Sequence, residues 1–231
     1  MNDKKAQILS LETQHSYDQM AKEFSDSRAH FWNELAFLSE HIERDDHVLD
    51  IGCGNGRFVP LVSARHAHYD GVDYSSGLIE EAKRKFPQQC FTVGDATALP
   101  FPDDSFDIAF SFAVIHHIPG KEGRNEFARE AFRVLHPGGK LIITSWDLWS
   151  RKYVGRLLRS AISSMLQINS LDVRDVMLTF GKKKQPRYVH AFTAPELREL
   201  FKENGFTILG IDTVPRDSVE RNIVLIAQKP T

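Results

Sequence analysis

The spacing of apolar positions changes several times along the chain, and each change predicts an element. Phe31, Trp32, Leu35, Leu38 and Ile42 recur at intervals of three and four, which predicts a helix over 28–42 with one face on a core. Residues 16–24 predict a shorter helix before it, and the first fifteen residues, polar and aperiodic, predict a frayed tail. From Val48 onward short apolar runs alternate with amphipathic stretches, the mark of a parallel sheet covered by helices. The runs predict strands at 47–51, 69–73, 90–93 and 140–146, and a central strand in the nearly unbroken apolar run from Phe106 to Ile115. Helices are predicted over 57–65, from the possible caps Ser75 and Ser76 to Phe86, and over 122–135. Thr193-Ala194-Pro195-Glu196 reads as a capping box with proline in the first turn, opening a helix that ends near Asn204-Gly205. Strands at 206–214 and 222–228 then close the chain as an antiparallel pair. The predicted class is α/β, a doubly wound and mostly parallel sheet of seven strands.

The rhythm fails over 147–192. Val154, Leu157, Leu158, Ala161, Ile162 and Met165 predict a helix with Arg151, Lys152, Arg156 and Arg159 interspersed, and residues 181–187 predict a flexible basic loop. With no Pro/Gly/Ser-rich linker, the chain reads as one domain: a helical cap at 1–46, a core at 47–146, an insertion at 147–192 and a closing unit at 193–231.

Charge sharpens this division. The formal net charge is only −2, yet residues 151–190 hold nine Lys and Arg against two Asp, a local +7 that leaves −9 for the rest. That asymmetry suits a polyanionic partner, or simply a solvated basic face. At 42% hydrophobic residues the chain can bury a substantial core. Cys53 and Cys90 stand far apart without a CxxC spacing, so neither a disulfide framework nor a metal site is predicted. The polar N-terminus and the lack of a long apolar run predict no membrane segment and a cytoplasmic protein.

The candidate chemistry gathers at predicted carboxyl ends of strands, where open α/β sheets bind ligands. The first strand runs into Gly52, Gly54 and Gly56, a turn able to bring the main chain against a ligand. Asp50 precedes the turn; a pyrophosphate would be repelled there, whereas an ammonium and a sulfonium would be attracted, which favours S-adenosylmethionine over a dinucleotide. Asp73, followed by Tyr74, ends the second strand where a ribose-binding acid is expected. Asp95 and Ala96 follow the third and can read an adenine edge. His116 and His117 follow the fourth, in place for a substrate.

The ordered set DIGCGNG (50–56), GVDYS (71–75), GDATALPFPDDSFD (94–107) and LHPGGKLII (135–143) resembles the class I S-adenosylmethionine-dependent methyltransferases, whose fold is Rossmann-like. A narrower likeness joins four further pieces: Tyr17-Asp18 to Trp32 with Phe24 and Arg28, Ser111 to His117, Arg187 to Phe192, and Pro215-Arg216-Asp217. These are similar to the tRNA wobble-uridine methyltransferases that esterify 5-carboxymethyluridine in the anticodon loop. The resemblance implies cofactor contacts at Asp50, Gly52, Gly54, Gly56, Asp73, Tyr74, Asp95 and Ala96, and substrate contacts at Arg28, His116, His117, Arg187, Tyr188 and His190. It also implies tRNA as a partner, with a small zinc-ribbon activator protein as in related eukaryotic enzymes. An ionised carboxylate needs no general base, so cationic groups and alignment suffice. Two other readings share the cofactor motifs: a methyltransferase for a quinone precursor or organic acid, with 147–192 as a lid, and a non-catalytic cofactor-binding scaffold.

Overall fold

The computed structural model describes residues 1–28, 30–166, 171–180, 185–216 and 220–231, without the side chains of Arg151 and Phe180. Lys182, Lys183 and Lys184 of the predicted basic loop therefore lie outside the described residues.

Five strands, β1 (His47–Ile51), β2 (His68–Asp73), β3 (Cys90–Val93), β4 (Phe106–Phe112) and β5 (Leu135–Asp147), lie parallel. The strands β8 (Thr207–Pro215) and β9 (Arg221–Gln228) complete a seven-stranded sheet in the order β3-β2-β1-β4-β5-β9-β8, with β9 antiparallel to both neighbours. The order reverses at β1, so a crevice opens between the carboxyl ends of β1 and β4. Apolar residues on both faces of the central strands hold two cores. Leu49, Ile51, Leu141 and Ile143 pack with Phe127 of α5 (Lys121–Val134) and Phe201 of α7 (Ala194–Glu203). Val48, Ile108, Phe110 and Ile142 pack on the other face with Val59 of α3 (Val59–Ala64), Ile79 of α4 (Ser76–Lys85), Leu35 and Leu38. Each such side chain contributes roughly 1.5–3 kcal/mol on burial. The predicted capping box is formed in full, with Thr193 and Glu196 each accepting from the other's backbone N–H.

Three local expectations are corrected. The first fifteen residues are not a frayed tail but most of α1 (Asp3–Gln19), whose N-cap Asn2 accepts from the Lys5 N–H at 2.9 Å. Its periodicity is weak because the face it turns inward covers a polar cleft rather than an apolar core. After α2 (Ala21–Ser27), the stretch Asn33–His41 winds as a 3₁₀ helix. Trp32, Leu35 and Leu38 are spaced by three, the period of that helix, and Leu35 N–H donates to Trp32 C=O at 3.1 Å. The third correction is the insertion. Besides α6 (Arg151–Met165) it holds a hairpin of β6 (Asp175–Phe180) and β7 (Gln185–His190). Val176, Leu178, Val189 and Ala191 of that region pack on Leu148 and Leu157 as a third, smaller core. Among the described residues no helix is long and apolar enough to cross a membrane.

Candidate active site

A cavity of about 600 Å³ occupies the crevice, floored by the ends of β1, β2, β4 and β5 and covered by α1. Its two ends differ in chemistry. At the β1–β3 end the main chain does most of the shaping. Gly52 has φ +77°, and a Cβ there would lie 2.2 Å from Val114 Cγ2, so only glycine fits. Gly54 has φ +57° and its N–H donates to Asp73 Oδ2 at 2.9 Å; the nearest atom to a Cβ placed there is Phe24 Cε1, 3.8 Å away. The turn therefore lays bare backbone against the cavity. Asp73 Oδ1 also accepts from the Ser75 N–H at 2.9 Å, and burial raises its carboxyl to about 6. Asp50 accepts from the Tyr69 hydroxyl at 2.9 Å, and burial raises it to about 7 against the pull of that bond and of Arg57. Asp95 caps its own turn, accepting from the Thr97 N–H and hydroxyl at 2.8 Å, and with Tyr74 and Ala96 lines the cavity. Gly56 does not: it packs against Phe86 and Phe91, a glycine needed for helix-to-sheet contact.

Helix α1 is fastened over this end. Gln14 donates to Tyr74 C=O at 2.8 Å, and Asp18 accepts from the Ser75 hydroxyl at 2.6 Å and the Gly77 N–H at 3.1 Å. The acid thus sits at the N-terminus of α4, where unsatisfied N–H groups favour it.

At the β4–β5 end side chains take over. Arg187 and Arg216 lie 4.5 and 4.9 Å from the Trp146 ring, and Arg28 lies 4.3 Å from the Phe24 ring. The three guanidiniums are close enough that Arg187 and Arg216 help to lower the Arg28 pKa, after burial. Arg187 donates to the Tyr17 hydroxyl at 3.1 Å, which stands 3.4 Å from His117 Nε2. His117 Nδ1 donates to Tyr188 C=O at 2.9 Å. Burial and then Arg187 push this imidazole down to about 3, so it is neutral.

Of the residues predicted to meet a substrate, Arg28, His117 and Arg187 line the cavity and are brought together. The other three are corrected. His116 is fully buried beside Trp146, its Nδ1 3.3 Å from the Ser145 hydroxyl and 3.4 Å from the Trp146 backbone N–H. Tyr188 donates its hydroxyl to Asp175 at 2.7 Å, and His190 bridges Asp175 at 2.7 Å and Glu196 at 3.0 Å. Strand alternation explains this: Arg187 and Tyr188 are neighbours on β7 and so face opposite ways. Tyr188 and His190 thus support the hairpin from behind.

Sequence reasoning did not select Tyr17, Trp32, Arg57, Trp146 or Arg216 as site residues, although all five line the cavity. Arg57 directly follows the glycine turn and stacks 3.3 Å from the Trp32 ring, and burial lowers its pKa to about 9. Trp146 follows the same carboxyl-end rule that selected the histidines.

Residues 49–143 match the methyltransferase domain family. A protein of Encephalitozoon cuniculi carrying a provisional methyltransferase name is 35% identical over 197 residues, covering 84% of this chain and 86% of that protein. The tRNA (carboxymethyluridine(34)-5-O)-methyltransferase of Saccharomyces cerevisiae is 33% identical over 132 residues, covering 57% of this chain. The chain spans only 47% of that relative's length. Among solved structures, an S-adenosylmethionine-dependent methyltransferase of Methanosarcina mazei shares the fold with TM-score 0.73 at 24% identity, over 84% of this chain and 97% of that one. A methyltransferase of Haloferax volcanii, solved with its Trm112 activator, gives 0.70 at 17% identity over 95% and 98%. The cradle suits the cofactor these names imply: open main chain at Gly54, and carboxylates at the ends of β1 and β2 for hydroxyl and cationic groups. The chain belongs to the class I S-adenosylmethionine-dependent methyltransferases.

Proposed function

We propose that this methyltransferase esterifies an anionic acceptor, the carboxylate of 5-carboxymethyluridine at the wobble position of tRNA. The observation that carries the reading is the meeting of Arg28, Arg187 and Arg216 at the β4–β5 end of the cavity. Arg216 is ion-paired with Glu220, which also meets Lys152, and the three guanidiniums together offer forks to more than one anionic group. A nucleotide within RNA offers a carboxylate and neighbouring phosphates, whereas a small organic acid or a phenol offers one charge or none. Guanidinium forks match carboxylate and phosphate oxygens, which Lys does less well. The imidazole at this end is neutral and a poor base, which suits an acceptor already ionised at neutral pH.

In this reading the backbone at Gly52 and Gly54 cradles the cofactor, Asp73 holds its ribose hydroxyls, Asp50 faces its cationic end, and Asp95 and Ala96 meet the adenine. The cofactor supplies a methyl group activated on a sulfonium. The chain's own residues align the acceptor with it and exclude water, an orientation effect worth up to roughly 7–11 kcal/mol. Arg187 holds the carboxylate and Arg28 and Arg216 the flanking charge, while α1 closes the top. The ester product is neutral at the carboxyl, so the same pairing weakens after transfer and favours release.

tRNA is the partner, and the names of the relatives support it. A small activator protein is a second candidate partner, by analogy with the Haloferax volcanii complex. The reaction then belongs in the cytoplasm. Mass spectrometry of tRNA nucleosides from host cells with and without the gene tests the proposal. Loss of the methyl ester with accumulation of 5-carboxymethyluridine is expected; an unchanged nucleoside profile would contradict it.

A further inference from the structure

Adjacent histidines after β4 have different surroundings. His116 Nδ1 lies 3.3 Å from the Ser145 hydroxyl and 3.4 Å from the Trp146 backbone N–H, and the ring is buried away from the cavity. The His117 tautomer follows from its partner. Its Nδ1 lies 2.9 Å from the Tyr188 carbonyl oxygen, which can only accept, so Nδ1 carries the proton and Nε2 carries the lone pair. Burial and then Arg187 disfavour a second proton at Nε2. His117 lines the cavity, and the Tyr17 hydroxyl, which accepts from Arg187, can donate to its Nε2 across 3.4 Å, a long bond that a better-placed donor can replace.

The three guanidiniums at this end can only donate hydrogen bonds, while His117 Nε2 can only accept one. A ligand entering this end can offer anionic oxygens to the guanidiniums and an N–H or O–H to His117 Nε2 in place of the Tyr17 hydroxyl. Resting on the proposed acceptor, we propose that His117 is a specificity-determining residue that reads the uracil ring, its Nε2 accepting from the imide N3–H. The reactive arm sits on C5, so the pyrimidine enters ahead of its ribose, and the edge beside that arm carries O4 and N3. A cytosine ring has a lone pair at N3 and would face His117 with two acceptors and no proton between them. The register of β7, which supplies the Tyr188 carbonyl, thereby sets which base is admitted.

The test uses anticodon stem-loop RNAs carrying 5-carboxymethyluridine, its N3-methyl form, or its 2′-deoxy form, with turnover and RNA affinity both measured. The wild-type protein should disfavour the N3-methyl form at least about 100-fold in kcat/KM and bind it more weakly, and treat the 2′-deoxy form nearly as the parent. His117→Asn keeps a donor for the Tyr188 carbonyl but withdraws the lone pair. It should lower kcat/KM on the parent RNA and reduce the discrimination to within about tenfold, with cofactor affinity unchanged. His117→Gln, which returns an amide oxygen near the Nε2 position, should recover part of the discrimination. Nitrogen-15 spectra of labelled histidine should show the Nδ1–H tautomer at His117 at neutral pH. Discrimination that survives in His117→Asn, sensitivity to the 2′-hydroxyl instead of N3, or an imidazolium at neutral pH would each overturn base reading by His117. Failure of every RNA as a methyl acceptor would instead sink the proposed acceptor, while the tautomer measurement still stands.

Discussion

The two ends of the cleft are built from different material. Over β1–β3 the ligand surface is main chain bent by glycine, with Asp50, Asp73 and Asp95 each at a strand end or the turn that follows it. Over β4–β5 it is side chain, gathered from Tyr17, Arg28, His117, Trp146, Arg187 and Arg216, which span 200 positions of the sequence. A cradle of backbone is fixed by a few neighbouring residues and fails locally. A pocket of side chains is fixed by whatever holds their distant elements, and can fail from far away.

Breaking the first end should have the largest effect. Gly52→Ala forces a Cβ to 2.2 Å from Val114 Cγ2 at φ +77°, so a loss of roughly 4 kcal/mol of stability is expected together with cofactor binding. Adding Val114→Ala should relieve the clash but not the backbone strain, recovering only part of the loss in urea unfolding. Full recovery would mean that the turn does not need glycine.

The second end should break from behind. Asp175 is fully buried and accepts from Tyr188 and His190, outside the cavity. Asp175→Asn leaves those donors facing an amide and should cost about 3 kcal/mol. Calorimetry on the folded protein should show unchanged cofactor affinity, while the acceptor KM rises through loss of the β7 register that holds Arg187 and His117. A variant that weakened the cofactor as much as the acceptor would erase the distinction between the ends.

This contrast also decides what was legible in the sequence. The strands β1 to β5 and the acids at or just past the ends of β2 and β3 follow from periods and spacings local to 47–146. Helix α1 was hidden because it packs on a polar cleft, leaving no apolar stripe to read. The β6–β7 hairpin was hidden because its strands carry Asp175, Arg187 and His190 at inward positions, breaking the alternation that marks a strand. Arg216 and Tyr17 could be seen as parts of a resemblance, but only tertiary structure brings them to Trp146 and Arg187.

A gentler change sharpens the acceptor end. Arg187→Lys keeps the charge but loses the fork and the planar stack on Trp146, so kcat/KM should fall about tenfold, roughly 1.4 kcal/mol, chiefly through KM. Equal kinetics for the two proteins would mean that Arg187 acts as a bare charge.

Acidity acts on the cofactor end. Burial raises Asp50 to about 7 and Asp73 to about 6 from an ordinary 3.8, so the folded chain keeps protons that the unfolded chain has released. Unfolding therefore releases protons, and these two groups make stability fall as pH rises from about 4 to about 7. A cationic cofactor prefers the ionised carboxylates, so its affinity should rise through the same window by at most about tenfold per pH unit per group, then level off. Titration calorimetry across that range checks both signs, and Asp73→Asn should flatten the lower part of the affinity curve.

The most direct test of the whole account is methyl transfer by the purified protein, with its activator if one is required, from methyl-labelled S-adenosylmethionine to two anticodon stem-loops. One carries 5-carboxymethyluridine and the other plain uridine at the wobble position. The account predicts label on the first alone, released as methanol by mild alkali as an ester must be. Label on the plain uridine loop, or label on either that resists alkali, would contradict it.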